Sequence, residues 1–205
     1  MIVRVLILRL GAAILMVVTS SQAVRAQSGG SGVPDLAMPF ERGTVEISAI
    51  GGVTLPASLF RANADHQLAL VSLAIGRVMA GGAGRGNLEL LIDVTPFLQV
   101  RQPERVRGWS VAPLFVRWNF PPLGRRARIF GEVSGSMLWT TAPVPPRTTT
   151  FNFIDQAGFG VRIEETHSRA WLVGYRFQHI SNGGRVRPNP GANFNLVYLG
   201  VSFLN

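Results

Sequence analysis

His179 and Ser181 stand two residues apart near the end of a predicted strand, just ahead of Asn182-Gly183-Gly184. Successive strand side chains point to opposite faces, so His179 and Ser181 share one face and Ile180 takes the other. An imidazole beside a hydroxyl turns a weak oxygen nucleophile into a strong one, because the ring takes the proton as the oxygen attacks. Asn182, Gly183 and Gly184 can present N–H groups to an oxyanion. As plain sequence, the same three residues also suit an ordinary turn.

The elements that must carry this pair are strands. From Gly43 onward, period-two patterns alternate with turn clusters. They predict eight strands, at 43–53, 68–79, 87–99, 109–119, 127–140, 156–164, 169–180 and 193–204. In the third, Leu88, Leu90, Ile92, Val94 and Leu98 oppose Glu89, Asp93 and Thr95. In the fifth, Ile129, Val133, Met137 and Trp139 oppose Arg128, Glu132, Ser134 and Ser136. In the seventh, Trp171, Val173, Tyr175 and Phe177 oppose Gly174, Arg176 and Gln178. Such a sheet closes either as a soluble barrel with the apolar face inside or as a membrane barrel with that face outside.

Two features favour the membrane barrel. The polar face mixes acids with Arg, as charges packed in a narrow lumen require. The predicted connections also alternate: longer at 54–67, 100–108, 141–155 and 181–192, shorter at 80–86, 120–126 and 165–168. Short turns belong on the periplasmic side of an outer-membrane barrel and long loops on the other. The run Gly81-Gly82-Ala83-Gly84-Arg85-Gly86 precedes no helix and is expected to be a turn, not a phosphate loop.

Composition narrows the rest. There is no Cys, which excludes disulfides and thiolate metal sites. Formal charge is +9, and all 20 basic residues are Arg. Arg4 and Arg9, the apolar run Leu10 to Val18 and Val24-Arg25-Ala26 have the form of an export signal cleaved after Ala26. The expected organisation is a signal peptide at 1–26, a flexible lead-in at 27–42 and an outer-membrane β-barrel at 43–205. No later segment reads as a transmembrane helix, since the apolar stretch Leu68 to Met79 is short and holds Arg77.

Strand alternation then aims the His/Ser pair. His179 and Ser181 continue the face of Trp171, Val173, Tyr175 and Phe177 and so point toward lipid near the outer rim. Asn193 and Asn195 fall on the same outward face of the last strand. Polar groups on a lipid-facing surface are costly unless they are used.

The run Phe177 to Gly184, followed by Pro188-Asn189-Pro190-Gly191-Ala192-Asn193, resembles the signature of the lipid A 3-O-deacylase family of outer-membrane acyl hydrolases. Asn152-Phe153, Gly158 to Arg162, and Pro113 to Trp118 also resemble that family. The resemblance implies an eight-stranded outer-membrane barrel that hydrolyses the 3-position acyl ester of lipid A in the outer leaflet. It implies His179 as general base, Ser181 as nucleophile, Asn182 with Gly183 and Gly184 as oxyanion hole, and Asn189 as a supporting residue in the same loop. No metal or other cofactor is expected, and no nucleic-acid partner.

One residue departs from the family pattern. The position of the family's acid is Asn193. An amide oxygen can hold the imidazole tautomer but cannot offset the imidazolium charge. No Asp or Glu follows Glu165, and Asp155, assigned to a loop, is expected to be badly placed as a substitute. Two functions therefore stand side by side, an active esterase and a catalytically impaired or non-enzymatic barrel that binds lipopolysaccharide. Arg101, Arg105, Arg107, Arg147, Arg185 and Arg187 are expected in long loops, either as lipid A phosphate contacts or as ordinary solvated charges.

Overall fold

The computed structural model describes residues 41–55, 66–82 and 85–205. The expected signal peptide and nearly all of the lead-in lie outside the described residues. Eight strands follow one another: β1 (Val45–Thr54), β2 (Gln67–Gly82), β3 (Gly86–Gln102), β4 (Glu104–Leu123), β5 (Ala127–Thr140), β6 (Phe151–Thr166), β7 (Arg169–Ser181) and β8 (Ala192–Leu204). Each pairs antiparallel with its chain neighbours, and β1 pairs with β8 to close the barrel. Closure leaves no open sheet edge, which is what allows strands to span a bilayer.

The alternation resolves in favour of lipid outside. Ile47, Ile75, Ile92, Leu114, Val133, Phe159, Val173 and Leu199 are exposed on the outer wall. Trp118, Phe120 and Trp171 are also exposed, toward one end. Toward the other end Trp109 stacks on Trp139 with ring centroids 4.3 Å apart, and Phe151 and Phe153 continue the cluster. An apolar band flanked by aromatics at both ends is the outer surface of a transmembrane β-barrel.

The lumen is filled, not open. Toward the β1 N-terminus, buried charges form a network. Arg117 donates to Glu46 at 2.9 Å and to Glu132 at 3.3 Å, Arg176 donates to Glu132 at 2.6 Å, and Arg162 pairs with Glu46. Each charge is compensated inside a low-dielectric interior, where an unpaired one costs several kcal/mol (about 3–5). Elsewhere the lumen packs apolar side chains, among them Leu68, Leu98, Val100, Leu138, Ile154, Ile180 and Phe194.

Several sequence expectations change. The segment 100–108 is not a long loop: β3 and β4 stay paired as far as Gln102 and Glu104, leaving Pro103 alone at the turn. Arg101, Arg105 and Arg107 therefore sit on strands. These strand ends are rich in Arg, Gln and Glu, so they lack the alternation by which a strand in lipid is recognised. Leu98 is fully buried, not lipid-facing. The register shifts between Thr95 and Leu98, and a bulge of this kind reverses which face the following residues occupy. Finally, β6 begins at Phe151 and not at 156, so Asp155 belongs to a strand. At the glycine run, Gly82 at the end of β2 is paired with Gly86 at the start of β3.

Candidate active site

The end of β7 and the start of β8 bring His179 and Asn193 into register as direct cross-strand partners. The imidazole Nδ1 lies 2.6 Å from Asn193 Oδ1. An amide oxygen only accepts, so this contact places the ring proton on Nδ1 and leaves Nε2 as the free base. Two residues below, Tyr175 donates its hydroxyl to Asn195 Oδ1 at 2.6 Å, so the polar face predicted for β8 is bonded to side chains of β7.

Ser181 is opposite Phe153 of β6, in the row above His179. Ser181 is buried and lines a cavity of about 270 Å³ together with Pro113, Gly135, Ser136, Met137, Phe153, Asp155 and Gly183. The groove crosses four strands, β4 to β7. It exists because Gly135 contributes no side chain and because the β4–β5 register shifts between Val111 and Leu114, around Pro113. Among the described residues no hydrogen bond joins His179 to Ser181; such contacts are commonly loose until substrate fills the site.

The loop after Ser181 is built around Asn182. Its backbone N–H donates to Asn189 Oδ1 at 3.1 Å, its side-chain amide donates to the Val186 carbonyl at 2.8 Å, and its Oδ1 accepts from Gly184 N at 2.9 Å. The Asn182 side chain is fully buried. The Gly183 N–H is the donor nearest the serine, 3.4 Å from Oγ. Gly183 and Gly184 both have left-handed backbone, φ 65° and 75°, which turns the chain back without a Cβ penalty. Of the three residues expected at the oxyanion, Gly183 thus directs its N–H at Ser181, while Asn182 and Gly184 are bonded to each other.

Two residues near the imidazole carry no sequence signal of their own. Gly191 has φ 66°, and a Cβ there would fall 2.6 Å from His179 Cε1. The loop backbone therefore presses on the edge of the ring. Asp155 is the partner of His179 on the β6 side, outward-facing and exposed. Its parity with Phe159 and Val161 was legible, but the strand start was not. The expected loop position of Asp155 does not hold: it lies on β6 in the row of His179, with no hydrogen bond between the two.

Arg185 stacks over the Phe151 ring at 5.0 Å, at the rim above the groove. Among the described residues no group of His, Asp and Glu is arranged to hold a metal ion.

The sequence profile described as lipid A 3-O-deacylase (PagL) matches residues 91–202. The chain belongs to the lipid A 3-O-deacylase family. The matched span runs from the middle of β3 into β8 and contains all the site residues above. Among solved structures, the outer membrane enzyme PagL aligns with a TM-score of 0.53 at 18% identity, covering 76% of this chain and 97% of that one. The N-terminal β-barrel domain of Pseudomonas aeruginosa OprF aligns with a TM-score of 0.51 at 15% identity, covering 80% of this chain and 98% of that one. At these identities both show the shared barrel. No curated protein matches the chain significantly. Family membership and the apolar, aromatic-flanked wall together make this deacylase-family chain a bacterial outer-membrane protein.

Proposed function

We propose that the protein is an outer-membrane esterase that releases the 3-position ester-linked acyl chain of lipid A, with Ser181 as nucleophile and His179 as general base. The observation that carries this is the placement of Ser181 in the lining of the groove over Gly135, one row above an imidazole held by Asn193. The Ser181 row is also the Phe153 row, within the aromatic cluster at the barrel rim. Aromatic girdles mark the membrane interface, the level at which the ester carbonyls of a glycolipid lie.

The steps follow from the side chains. The Ser181 Oγ proton passes to His179 Nε2 as Oγ bonds to the ester carbonyl carbon. The oxyanion so formed takes the Gly183 N–H, which the backbone already directs toward Ser181. The bond to the sugar oxygen breaks, and that oxygen leaves with the proton from the imidazolium. Water then attacks the acyl-enzyme, giving up its proton to His179; the acyl–Oγ bond breaks, the imidazolium returns a proton to Ser181 Oγ, and the fatty acid leaves. The groove over Gly135 holds the acyl chain along the wall, so that its binding orients the carbonyl. Asn182 and Asn189 act as braces that set the Gly183 geometry. Arg185 and Arg187 stand in the loop above, suited to the phosphates of lipid A.

A second reading is favoured by one observation, the amide at Asn193 where the family resemblance implies an acid: a catalytically impaired barrel that retains lipopolysaccharide without cleaving it. Mass spectrometry of lipid A incubated with purified protein separates the two. The esterase releases one acyl chain, and Ser181→Ala releases none. If both proteins leave lipid A intact, or both cleave it equally, the Ser181 mechanism is wrong.

A further inference from the structure

Asp155, His179 and Asn193 form a single row across the outer faces of β6, β7 and β8, each the cross-strand partner of the next. The imidazole is thus flanked by an amide on one side and a carboxylate on the other. Directly opposed residues hold their Cβ atoms about 4.5–5.5 Å apart. The Asp155 carboxylate is therefore within roughly 8 Å of the ring in any rotamer.

Its present environment leaves it unused. Among the described residues no hydrogen bond or ion pair engages Asp155. Its Oδ1 leans over Gly135, 3.7 Å from where a Cβ would stand, and Asp155 lines the same groove as Ser181. An unpaired carboxylate beside an imidazole on the same outward row is free to act on that ring. It is also the acid of this neighbourhood. The other outward residues nearby are Phe151, Phe153 and Ala157 on β6, Tyr175 and Phe177 on β7, and Asn195 on β8, with Arg185 and Arg187 in the loop above.

A triad acid does two things: it holds the imidazole in one tautomer and orientation, and it offsets the positive charge the ring gains as the serine is deprotonated. Asn193 does the first and has no charge for the second. We propose that the two tasks are divided in this protein, with Asn193 orienting His179 and Asp155 supplying the compensating negative charge from the opposite strand. Asp155 acts through the imidazole and is a positioning residue, not one that touches the acyl carbonyl. Across one rung of the ladder a carboxylate acts on the imidazolium through space without a direct hydrogen bond, more weakly than a bonded partner would. The inference rests on the Ser181/His179 esterase reading.

The test is a cycle of four purified proteins: wild type, Asp155→Asn, Asn193→Glu and the double variant. Two rates are followed, fatty-acid release from lipid A and labelling of Ser181 by an alkyl fluorophosphonate. Asp155→Asn should lower kcat about 10- to 100-fold with KM nearly unchanged, and slow the labelling in parallel. Asp155→Glu, which keeps the charge, should stay within about threefold of wild type. In the Asn193→Glu background, where the charge comes from the other side, Asp155→Asn should cost less than about threefold. An Asp155→Asn protein with wild-type kcat, a loss confined to KM, or an equal loss in both backgrounds overturns the proposal. Wild type that neither releases fatty acid nor labels at Ser181 instead sinks the esterase reading, and the division of tasks falls with it.

Discussion

The Asn193 side-chain oxygen sits 2.6 Å from His179 Nδ1, across the β7–β8 ladder, at the position where the family resemblance implies an acid. The contact fixes one side of the imidazole with a neutral acceptor, where a carboxylate would also bring negative charge. In the case of a serine protease, that exchange alone costs about 10⁴ in rate. The size of the defect here depends on what else surrounds the ring.

Restoring the acid should therefore help. Asn193→Glu is expected to raise kcat for lipid A deacylation about tenfold or more, because a carboxylate there both orients and compensates the imidazolium. Asn193→Ala should lower it about 10- to 100-fold by freeing the ring. Single-turnover kinetics in detergent micelles read both. No gain with Glu in a folded barrel would mean that the position is not the orienting one.

The loop backbone at Gly191 sets the edge of the imidazole. A methyl group there would meet His179 Cε1 at 2.6 Å, and the φ of 66° disfavours any side chain. Gly191→Ala should reduce kcat at least tenfold while heat-modifiable gel mobility shows an intact barrel. Unchanged turnover would show that the ring has room to move.

The groove over Gly135 predicts a separable effect on substrate. A Cβ at Gly135 meets Asp155 Oδ1 at 3.7 Å, ordinary contact, so the strand tolerates a side chain. Gly135→Leu should fill the groove, raising KM for lipid A severalfold while hydrolysis of a short-chain aryl ester stays near wild type. Parallel losses on both substrates would argue against an acyl channel along this wall.

Stability is concentrated in the lumen. Glu132 accepts from Arg117, Arg176 and the Tyr198 hydroxyl, the last two at 2.6 and 2.7 Å. Glu132→Ala leaves two buried guanidinium groups undercompensated and should cost about 3–5 kcal/mol. Thermal unfolding in micelles is the measurement. A midpoint within a degree or two of wild type would show that the remaining acids Glu46 and Glu89 re-pair the network.

Much of this protein was legible before any coordinates. The period-two pattern gives the strands and their faces, because side-chain direction in a strand depends only on parity. The same parity puts His179 and Ser181 outward and in sequence with Asn182, Gly183 and Gly184. It failed where local rules give way. The bulge before Leu98 reverses parity, the polar strand ends at 100–108 lack the alternation that lipid imposes, and the short Phe151-Asn152-Phe153 alternation is broken by Ile154 and Asp155.

Parity also says which face a residue takes, never which residue lies beside it on the next strand. The sequence alone therefore determined that His179 and Ser181 share the outer face of one strand of a barrel, with an amide at Asn193 on the next. Only the closed sheet decided that Asp155 and Asn193 bracket His179 and that Ser181 lines a groove over Gly135. Those neighbours are set by inter-strand register, which hairpin length, bulges and barrel closure fix together over the whole fold.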